Sequence, residues 1–136
     1  MPPSKPVRPA KTLQDVSHAI GLYPLEAYEF IQQSLAYTVR KIHGAGREEP
    51  RILRHVTGQE LCEGIREFAL ARWGLLASTV LARWHIRRTI DFGRIVFAMV
   101  DNGILQATEE DSLDDFKDIY DFSRAFEREY RFEKLI

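Results

Sequence analysis

Hydrophobic positions recur at three- and four-residue steps along most of the chain, which is the spacing of one face of an α-helix. The clearest case begins at Pro24 and keeps this spacing through Tyr28, Ile31, Leu35, Val39 and Ile42. Proline is favoured in the first turn of a helix and glycine just beyond its end, so Pro24 and Gly44 bound a predicted long helix. A shorter helix, capped by Thr12 and stopped by Gly21, is expected before it.

A capping box predicts where the next helix starts. In the tetrapeptide T-G-Q-E, Thr57 and Glu60 can each accept a hydrogen bond from a free backbone N–H. Gly74 interrupts the helix that follows. One face of that helix is expected to bury Leu61, Cys62, Ile65, Phe68 and Ala69.

Two further helices are predicted beyond Gly74. The first runs from about residue 75 to 83 or 84, and a polar turn over 85–88 separates it from the second. Thr89 or Asp91 caps the second helix, and Asn102-Gly103 ends it in the left-handed conformation that glycine favours. Valine, isoleucine and phenylalanine are also common in strands, but caps at both ends favour a helix here.

The two ends of the chain have different compositions. Residues 1–11 contain four of the six prolines, which predicts a flexible arm, and 44–56 form a polar connector. The far end carries an acid-rich turn over 108–111, and then one or two helices that use Phe116, Ile119, Tyr120, Phe126 and Tyr130. The sequence therefore predicts an all-α fold, with five to seven helices in a single domain over 12–136.

Length and composition limit the class of protein. The chain has 136 residues, of which 45% are hydrophobic, enough for one domain with a real core. That length excludes a protein kinase, a full dinucleotide-binding enzyme and a barrel. No apolar run reaches the roughly 20 residues of a membrane span, and the N-terminus lacks the apolar segment of a secretory signal. Cys62 is the only cysteine, so we expect no internal disulfide and a cytoplasmic protein.

Opposite charges collect in different parts of the chain. Residues 1–100 hold 14 Lys and Arg against 9 Asp and Glu, whereas residues 101–136 hold 5 against 11. Cations beside aromatic rings can hold phosphates and stack on bases, so the arginines near the two tryptophans form a candidate binding site for a partner or a nucleic acid. Its members are Arg72, Arg83, Trp84, His85, Arg87, Arg88 and Arg94, with Trp73 nearby. The alternative is that both tryptophans pack in the core while the arginines pair with the acidic C-terminal part.

The two helices around the turn at 85–88 also match a winged helix-turn-helix, with Gly103-Ile104-Leu105 leading into a small hairpin. Two features argue against DNA binding. The recognition helix would use most of its residues for apolar contacts. The wing would carry carboxylates that repel phosphate: Glu109, Glu110, Asp111, Asp114 and Asp115.

None of the catalytic patterns in the sequence is complete. Asp91-Phe92-Gly93 copies a kinase tripeptide but lacks the other kinase motifs, so we expect Asp91 to cap a helix. A di-iron bundle needs Glu-x-x-His on two helices, and the chain has no such pair. Cys62 lies between apolar positions, which favours an inert core thiol over a nucleophile. We therefore expect no catalytic residue, no metal and no cofactor.

Five segments resemble an uncharacterised family of small proteins known chiefly from planctomycete and verrucomicrobial bacteria. They are A-Y-E-F (27–30), H-V-T-G-Q-E-L-C (55–62), T-I-D-F-G-R-I-V-F (89–97), N-G-I-L (102–105) and E-D-S-L-D-D-F (110–116). The resemblance covers the chain from Tyr28 to Phe126. It implies a bacterial, cytoplasmic protein of unknown function and transfers no site residues.

Three hypotheses for the function follow from the sequence. The first is a non-catalytic helical domain that acts through contacts with a protein partner or through self-association, without a membrane. The second is a winged-helix-like nucleic-acid-binding protein that uses the arginine and tryptophan cluster over 72–94. The third is an enzyme whose site has no recognisable motif.

Overall fold

The structure, a computed structural model, describes residues 12–44 and 56–128. Within these residues the chain is mostly helical and contains no strand. Its five α-helices are α1 (Leu13–Ile20), α2 (Leu25–His43), α3 (Gly58–Trp73), α4 (Ala77–Arg83) and α5 (Thr89–Asp101). The all-α prediction is confirmed. The arm over 1–11, most of the connector and Tyr130 lie outside the described residues.

The local capping signals fix most helix ends as the sequence predicts. The Thr12 hydroxyl accepts a hydrogen bond from the Asp15 backbone N–H at 3.1 Å. The Thr57 hydroxyl accepts one from the Glu60 backbone N–H at 3.0 Å. In both boxes the carboxylate accepts in return from the cap backbone N–H. Gly21 ends α1 with a φ of 70°, a left-handed conformation that glycine adopts without strain.

Some details of the sequence prediction are wrong at the helix ends. Pro24 is the N-cap of α2 and not its first helical residue. Ile42 continues the apolar spacing of α2, but it lies in the last turn of the helix and is 40% exposed. After Gly74 the chain forms a 3₁₀ turn, Gly74–Leu76, before α4 begins.

Helix α5 is the most completely buried helix of the fold. Of its 13 residues, Arg94 and Asp101 alone are exposed. The face toward the core includes Phe92, Ile95, Val96 and Met99, all fully buried. Burial of these side chains is the main source of stability at this position, at roughly 1.5–3 kcal/mol for each large apolar side chain. Helix α5 therefore lies at the centre of the hydrophobic core in the described part of the chain.

The segment after α5 packs back onto the helices through two glycines. A 3₁₀ helix, Leu113–Phe116, carries the fully buried ring of Phe116. A Cβ added to Gly93 would lie 2.7 Å from the Phe116 ring, and one added to Gly58 would lie 2.8 Å from Asp115 Cβ. The Phe116 ring therefore fits between α3 and α5 only because both positions lack a side chain.

Thr89 fastens this C-terminal segment to α5. Its hydroxyl donates to the Phe116 carbonyl at 2.6 Å and accepts from the Ile119 backbone N–H at 3.1 Å. Thr89 is therefore not the cap of α5, which corrects one of the two sequence alternatives.

The last described element is a π-helical turn, Arg124–Arg128, which takes the place of the α-helix expected near Phe126.

Helices α4 and α5 follow each other across a short turn, but the winged-helix arrangement is not confirmed. The wing is not seen, because the described residues after Gly103 form turns, a 3₁₀ helix and a π-helical turn without a strand. In the part of the chain that the structure covers, no helix combines the length and apolar character of a membrane span.

The close packing of α2 against Gly64 of α3 predicts a large effect of a single added methyl group. A Cβ added to Gly64 of α3 would lie 1.8 Å from Thr38 Oγ1 and 2.9 Å from Thr38 Cβ on α2. We expect Gly64→Ala to lower the free energy of unfolding by about 2–3 kcal/mol in urea denaturation, because α2 and α3 must separate. The higher helix propensity of alanine, about 1 kcal/mol, offsets part of this loss only.

The double variant Thr38→Ala/Gly64→Ala provides the control for this prediction. It removes the hydroxyl and the methyl group that the new Cβ would meet and keeps only the contact with Cβ of residue 38 at 2.9 Å. Its loss of stability should therefore be smaller than the sum of the losses of the two single variants. An unfolding midpoint of Gly64→Ala equal to that of the wild type would contradict the packing described for α2 and α3.

Candidate functional site

The carboxylate of Asp91 organises the start of α5. Its Oδ2 accepts hydrogen bonds from the backbone N–H groups of Arg87 and Arg88 at 2.8 and 3.1 Å. Its Oδ1 accepts from the Tyr23 hydroxyl at 2.6 Å and from Arg94 Nη1 at 3.0 Å. Both carboxylate oxygens are therefore satisfied, and the turn before α5 is tied to the segment between α1 and α2.

The environment of Asp91 favours its ionised form. Burial by itself would raise the pKa of Asp91. The hydrogen bonds from Tyr23, Arg87 and Arg88 and the charge of Arg94 outweigh burial and hold the pKa below its usual value. The pKa of Tyr23 is raised, first by burial and then by its hydrogen bond to Asp91. The N-cap residue of α5 is Arg88, and Asp91, three residues later, accepts from the Arg88 backbone N–H. The expectation that Asp91 caps α5 is therefore right for the hydrogen bond and wrong for the N-cap position.

The two tryptophans pack into an aromatic cluster between α2, α3 and α4. The rings of Trp73 and Trp84 meet edge to face at 5.5 Å, and Phe30 contacts them at 4.8 and 5.7 Å respectively. Arg72 places its guanidinium 5.8 Å from the centre of the Trp73 ring. Its Nη1 donates to Gln33 Oε1 at 2.7 Å. Arg72 and Trp84 therefore take part in packing within the fold.

His85 occupies a position in the backbone that normally suits glycine. It follows the last turn of α4 with a φ of 65°. The Ile86 N–H donates back to the Leu81 carbonyl at 2.9 Å, and the His85 N–H donates to the Ala82 carbonyl at 3.0 Å. This is the Schellman arrangement that closes a helix, in which the left-handed residue is most often glycine. His85 is exposed and turns the chain from α4 toward α5.

An open groove with charged walls lies between the α4–α5 turn and the C-terminal segment. It consists of two adjoining cavities of about 610 and 310 Å³, both lined in part by Arg87 and Phe122. We call it the charged groove. One wall carries Arg83, Arg87 and Arg88, and the other carries Asp118, Asp121 and Glu127.

The floor of the charged groove is apolar, and its arginines are available for contacts. The floor includes Ile86, which is buried, and the half-buried ring of Phe122. Among the residues that the structure describes, the side chains of the three arginines make no ion pair with the opposite wall. Asp121 instead accepts from the Arg124 backbone N–H at 3.1 Å, and Glu127 accepts from the Ser78 hydroxyl at 3.2 Å.

The structure divides the residues of the sequence-predicted site into two groups. Arg83, Arg87 and Arg88 lie together on one wall of the charged groove. Arg72 packs on the aromatic cluster, and Arg94 pairs with Asp91 on its own helix. The alternative in which these arginines pair with the acidic C-terminal part is not seen for Arg72 or Arg94.

Sequence reasoning missed the second wall of the groove. Asp118 and Asp121 belong to an acidic stripe that has the spacing of a solvated surface, and nothing local marks Phe122 or Glu127. The available signal was the opposite charge of the two halves of the chain, which indicates a contact without giving its residues.

The remaining candidate chemistry is confined to buried groups. Burial raises the pKa of the Cys62 thiol to about 12, so the thiol stays protonated at neutral pH. Cys62 is fully buried, and its carbonyl accepts a hydrogen bond from the Tyr120 hydroxyl at 2.7 Å. In residues 12–44 and 56–128, no group of three or more His, Cys, Asp or Glu side chains is arranged to hold a metal ion.

No protein-family model matches the chain, and neither the curated proteins nor the solved structures contain a significant match. The family resemblance that the sequence motifs suggest therefore stays a prediction.

The Asp91 network predicts a loss of stability that depends on pH. Asp91→Asn removes the negative charge that faces Arg94 and replaces an acceptor oxygen with an NH₂ donor. We expect the free energy of unfolding of this variant to be about 2 kcal/mol lower than that of the wild type at pH 7. The pKa of Asp91 is lower in the folded protein than in the unfolded chain, where an aspartate titrates near 3.9. The ionised Asp91 therefore stabilises the fold above about pH 4, and this contribution is lost as the pH falls through the pKa of the folded protein. The difference between wild type and variant should therefore shrink below about pH 4.

Asp101→Asn is the matched control, because Asp101 is exposed on the same helix. It lies at the C-terminal end, where a carboxylate opposes the helix dipole, so its removal should be neutral or slightly stabilising. Urea denaturation of the three proteins at a series of pH values measures the effect. A stability difference for Asp91→Asn that stays constant from pH 7 to pH 3 would contradict the depressed pKa.

The left-handed backbone of His85 predicts a stabilising substitution. His85→Gly removes the steric cost of a side chain at positive φ, and we expect a gain of about 0.5–1 kcal/mol in thermal or urea unfolding. His18→Gly is the control, because His18 lies within helix α1 and its replacement by glycine should lower stability by about 0.3–0.5 kcal/mol. A loss of stability in His85→Gly would show that the imidazole makes a contact that outweighs the strain.

Proposed function

We propose that this protein is a non-catalytic helical domain that acts through protein–protein contacts, and that the charged groove is its binding surface. The observation that carries the proposal is the pair Arg83 and Arg87. Both line an open groove above the apolar Ile86 and Phe122, and their side chains have no ion pair within the described residues. Arginines next to apolar side chains are typical of protein interfaces.

Exposed leucines extend this surface beyond the groove. Leu75 is 42% exposed and Leu76 is 64% exposed, in the 3₁₀ turn that leads into α4. Leu76 comes directly before α4, whose Thr79 and Arg83 line the groove. Two adjacent exposed leucines next to the groove add apolar area to the proposed binding surface, as protein interfaces require.

The geometry favours a protein partner over a nucleic acid. A phosphate that approached Arg87 or Arg88 would also approach the carboxylates of Asp118 and Asp121, which line the same cavity. Helix α5, which would be the recognition helix of a winged-helix protein, is almost entirely buried. A DNA-binding helix needs polar or basic side chains on its outer face. The exposed basic side chain of α5 is Arg94, which already pairs with Asp91. A nucleic acid is therefore the second candidate, supported by the exposed Arg87 and Arg88.

The buried titratable groups also favour a binding role over catalysis. The Cys62 thiol is fully buried and has a raised pKa, so it is a poor nucleophile. The Asp91 carboxylate has four donors around it and a lowered pKa, so it is a poor proton acceptor. The proposal also assigns the protein to the cytoplasm, in keeping with a single cysteine that forms no disulfide in the structure.

A photocrosslinking experiment tests the proposal. Ala82 is exposed and lines the groove, so a photoreactive phenylalanine analogue at this position should form adducts with a protein partner in cells that express the chain. We expect Arg83→Ala/Arg87→Ala to reduce the adduct yield about tenfold or more, since arginine hot spots each cost more than about 1 kcal/mol on truncation. Arg40→Ala on α2 and the photoreactive group at Gln14 on α1 are the controls.

The same experiment identifies the second candidate function. If the arginines bind a nucleic acid, nuclease treatment removes the adducts, and the affinity of the purified protein falls steeply with salt. In that case Arg87→Ala/Arg88→Ala would reduce the log–log salt slope by about two units. Adducts that survive nuclease and disappear with the two arginines support the protein–protein proposal.

A further inference from the structure

The two walls of the charged groove carry equal and opposite charges. Three arginines of α4 and the following turn lie on one wall, and three carboxylates of the C-terminal segment lie on the other. They are Arg83, Arg87 and Arg88 against Asp118, Asp121 and Glu127. A surface of this kind is complementary to itself. When a second copy is placed over it by a two-fold rotation about an axis parallel to the groove, the positive wall of each copy meets the negative wall of the other.

We propose that the partner in the charged groove is the charged groove of a second copy of this chain, so that the protein forms an isologous dimer. The inference rests on the proposed function, because it takes the groove as the binding surface and assigns its occupant. Isologous contacts close after two subunits, and two-fold dimers are the commonest symmetric assemblies of proteins.

The charges within one chain leave this intermolecular pairing open. One carboxylate oxygen of Asp121 accepts a hydrogen bond from the Arg124 backbone N–H, and one of Glu127 accepts a hydrogen bond from the Ser78 hydroxyl. Each carboxylate keeps a second oxygen, and in the described part of the chain neither forms an ion pair with Arg83, Arg87 or Arg88. The guanidinium groups retain donors in a fork geometry that matches a carboxylate. In the described part of the chain, the arginines of one wall and the carboxylates of the other therefore form no ion pair with each other.

Apolar contacts next to the charges supply the rest of the surface that a dimer needs. A stable interface buries about 800 Å² on each partner, with an apolar centre and a polar rim. Phe122 lies in the groove floor, and the exposed Leu75 and Leu76 lie at the N-terminal end of α4. A second copy would cover these leucines, which otherwise remain in water.

A charge-exchange experiment tests the dimer. Sedimentation velocity should show wild-type protein at about 100 µM with twice the 15.8 kDa mass of the chain. Arg83→Glu/Arg87→Glu makes the positive wall negative, and Asp118→Asn/Glu127→Lys makes the negative wall neutral. We expect each variant alone to self-associate at least about tenfold more weakly, because negative walls face each other in the first variant and the attraction between the walls is lost in the second. An equimolar mixture of the two variants should recover the dimer, because the negative wall of the first variant then faces the intact positive wall of the second.

Matched controls separate this interface from a general effect of charge. Glu26→Lys/Glu29→Lys changes two exposed carboxylates on α2 that do not line the groove, and this variant should stay dimeric. Asp118→Asn suits the left-handed backbone at this position, where φ is 52°, so the fold should be retained. Circular dichroism of each variant checks that the helices are present.

The outcomes distinguish the dimer from the proposed function. If the wild-type protein is a monomer at about 100 µM, the proposed dimer is wrong. If a dimer forms but survives both charge changes, the charged groove is not its interface. If the protein is a monomer and Ala82 still forms arginine-dependent adducts with another protein, the proposed function stands and the second copy is not the partner. If the protein is a monomer and Ala82 forms no protein adduct, both proposals fail.

Discussion

A single buried carboxylate connects the parts of this fold that are distant in the sequence. Asp91 lies at the start of the most buried helix and receives four hydrogen bonds, one of them from Tyr23, 68 residues earlier in the chain. Without these donors, burial of the charge would cost several kcal/mol. With them, Asp91 fixes the start of α5, the path of the preceding turn and the segment between α1 and α2.

The charged groove depends on this arrangement. The backbone N–H groups of Arg87 and Arg88 point inward to Asp91, which leaves both side chains on the outside of the turn. Thr89, the next residue, holds the C-terminal segment against the start of α5 through the Phe116 carbonyl and the Ile119 N–H. Three consecutive residues therefore contribute to both walls: Arg87 and Arg88 belong to the positive wall, and Thr89 holds the segment that leads to Asp118 and Asp121 of the negative wall.

The sequence predicts the parts of the structure that are local. Thr12, Thr57 and Gly21 set helix ends through contacts within one turn, so their effect is visible in a short window of residues. The Tyr23–Asp91 bond and the packing of Phe116 on Gly58 and Gly93 join residues that are far apart in the chain, and no local pattern marks them. The candidate site was predicted in part for the same reason: its arginines form a visible cluster, whereas Phe122 and Glu127 reach the groove only through the fold.

The buried position of Cys62 gives this chain a built-in reporter of unfolding. It is the only cysteine, its side chain is fully enclosed, and burial raises its pKa to about 12. A thiol reagent in neutral solution can therefore react only during openings that expose the interior of α3. When closing is faster than modification, the labelling rate measures the population of the open state and hence the free energy of opening. Ligand or partner binding that stabilises the native state would slow this reaction, so one unmodified residue can detect an interaction without any added probe on the protein surface.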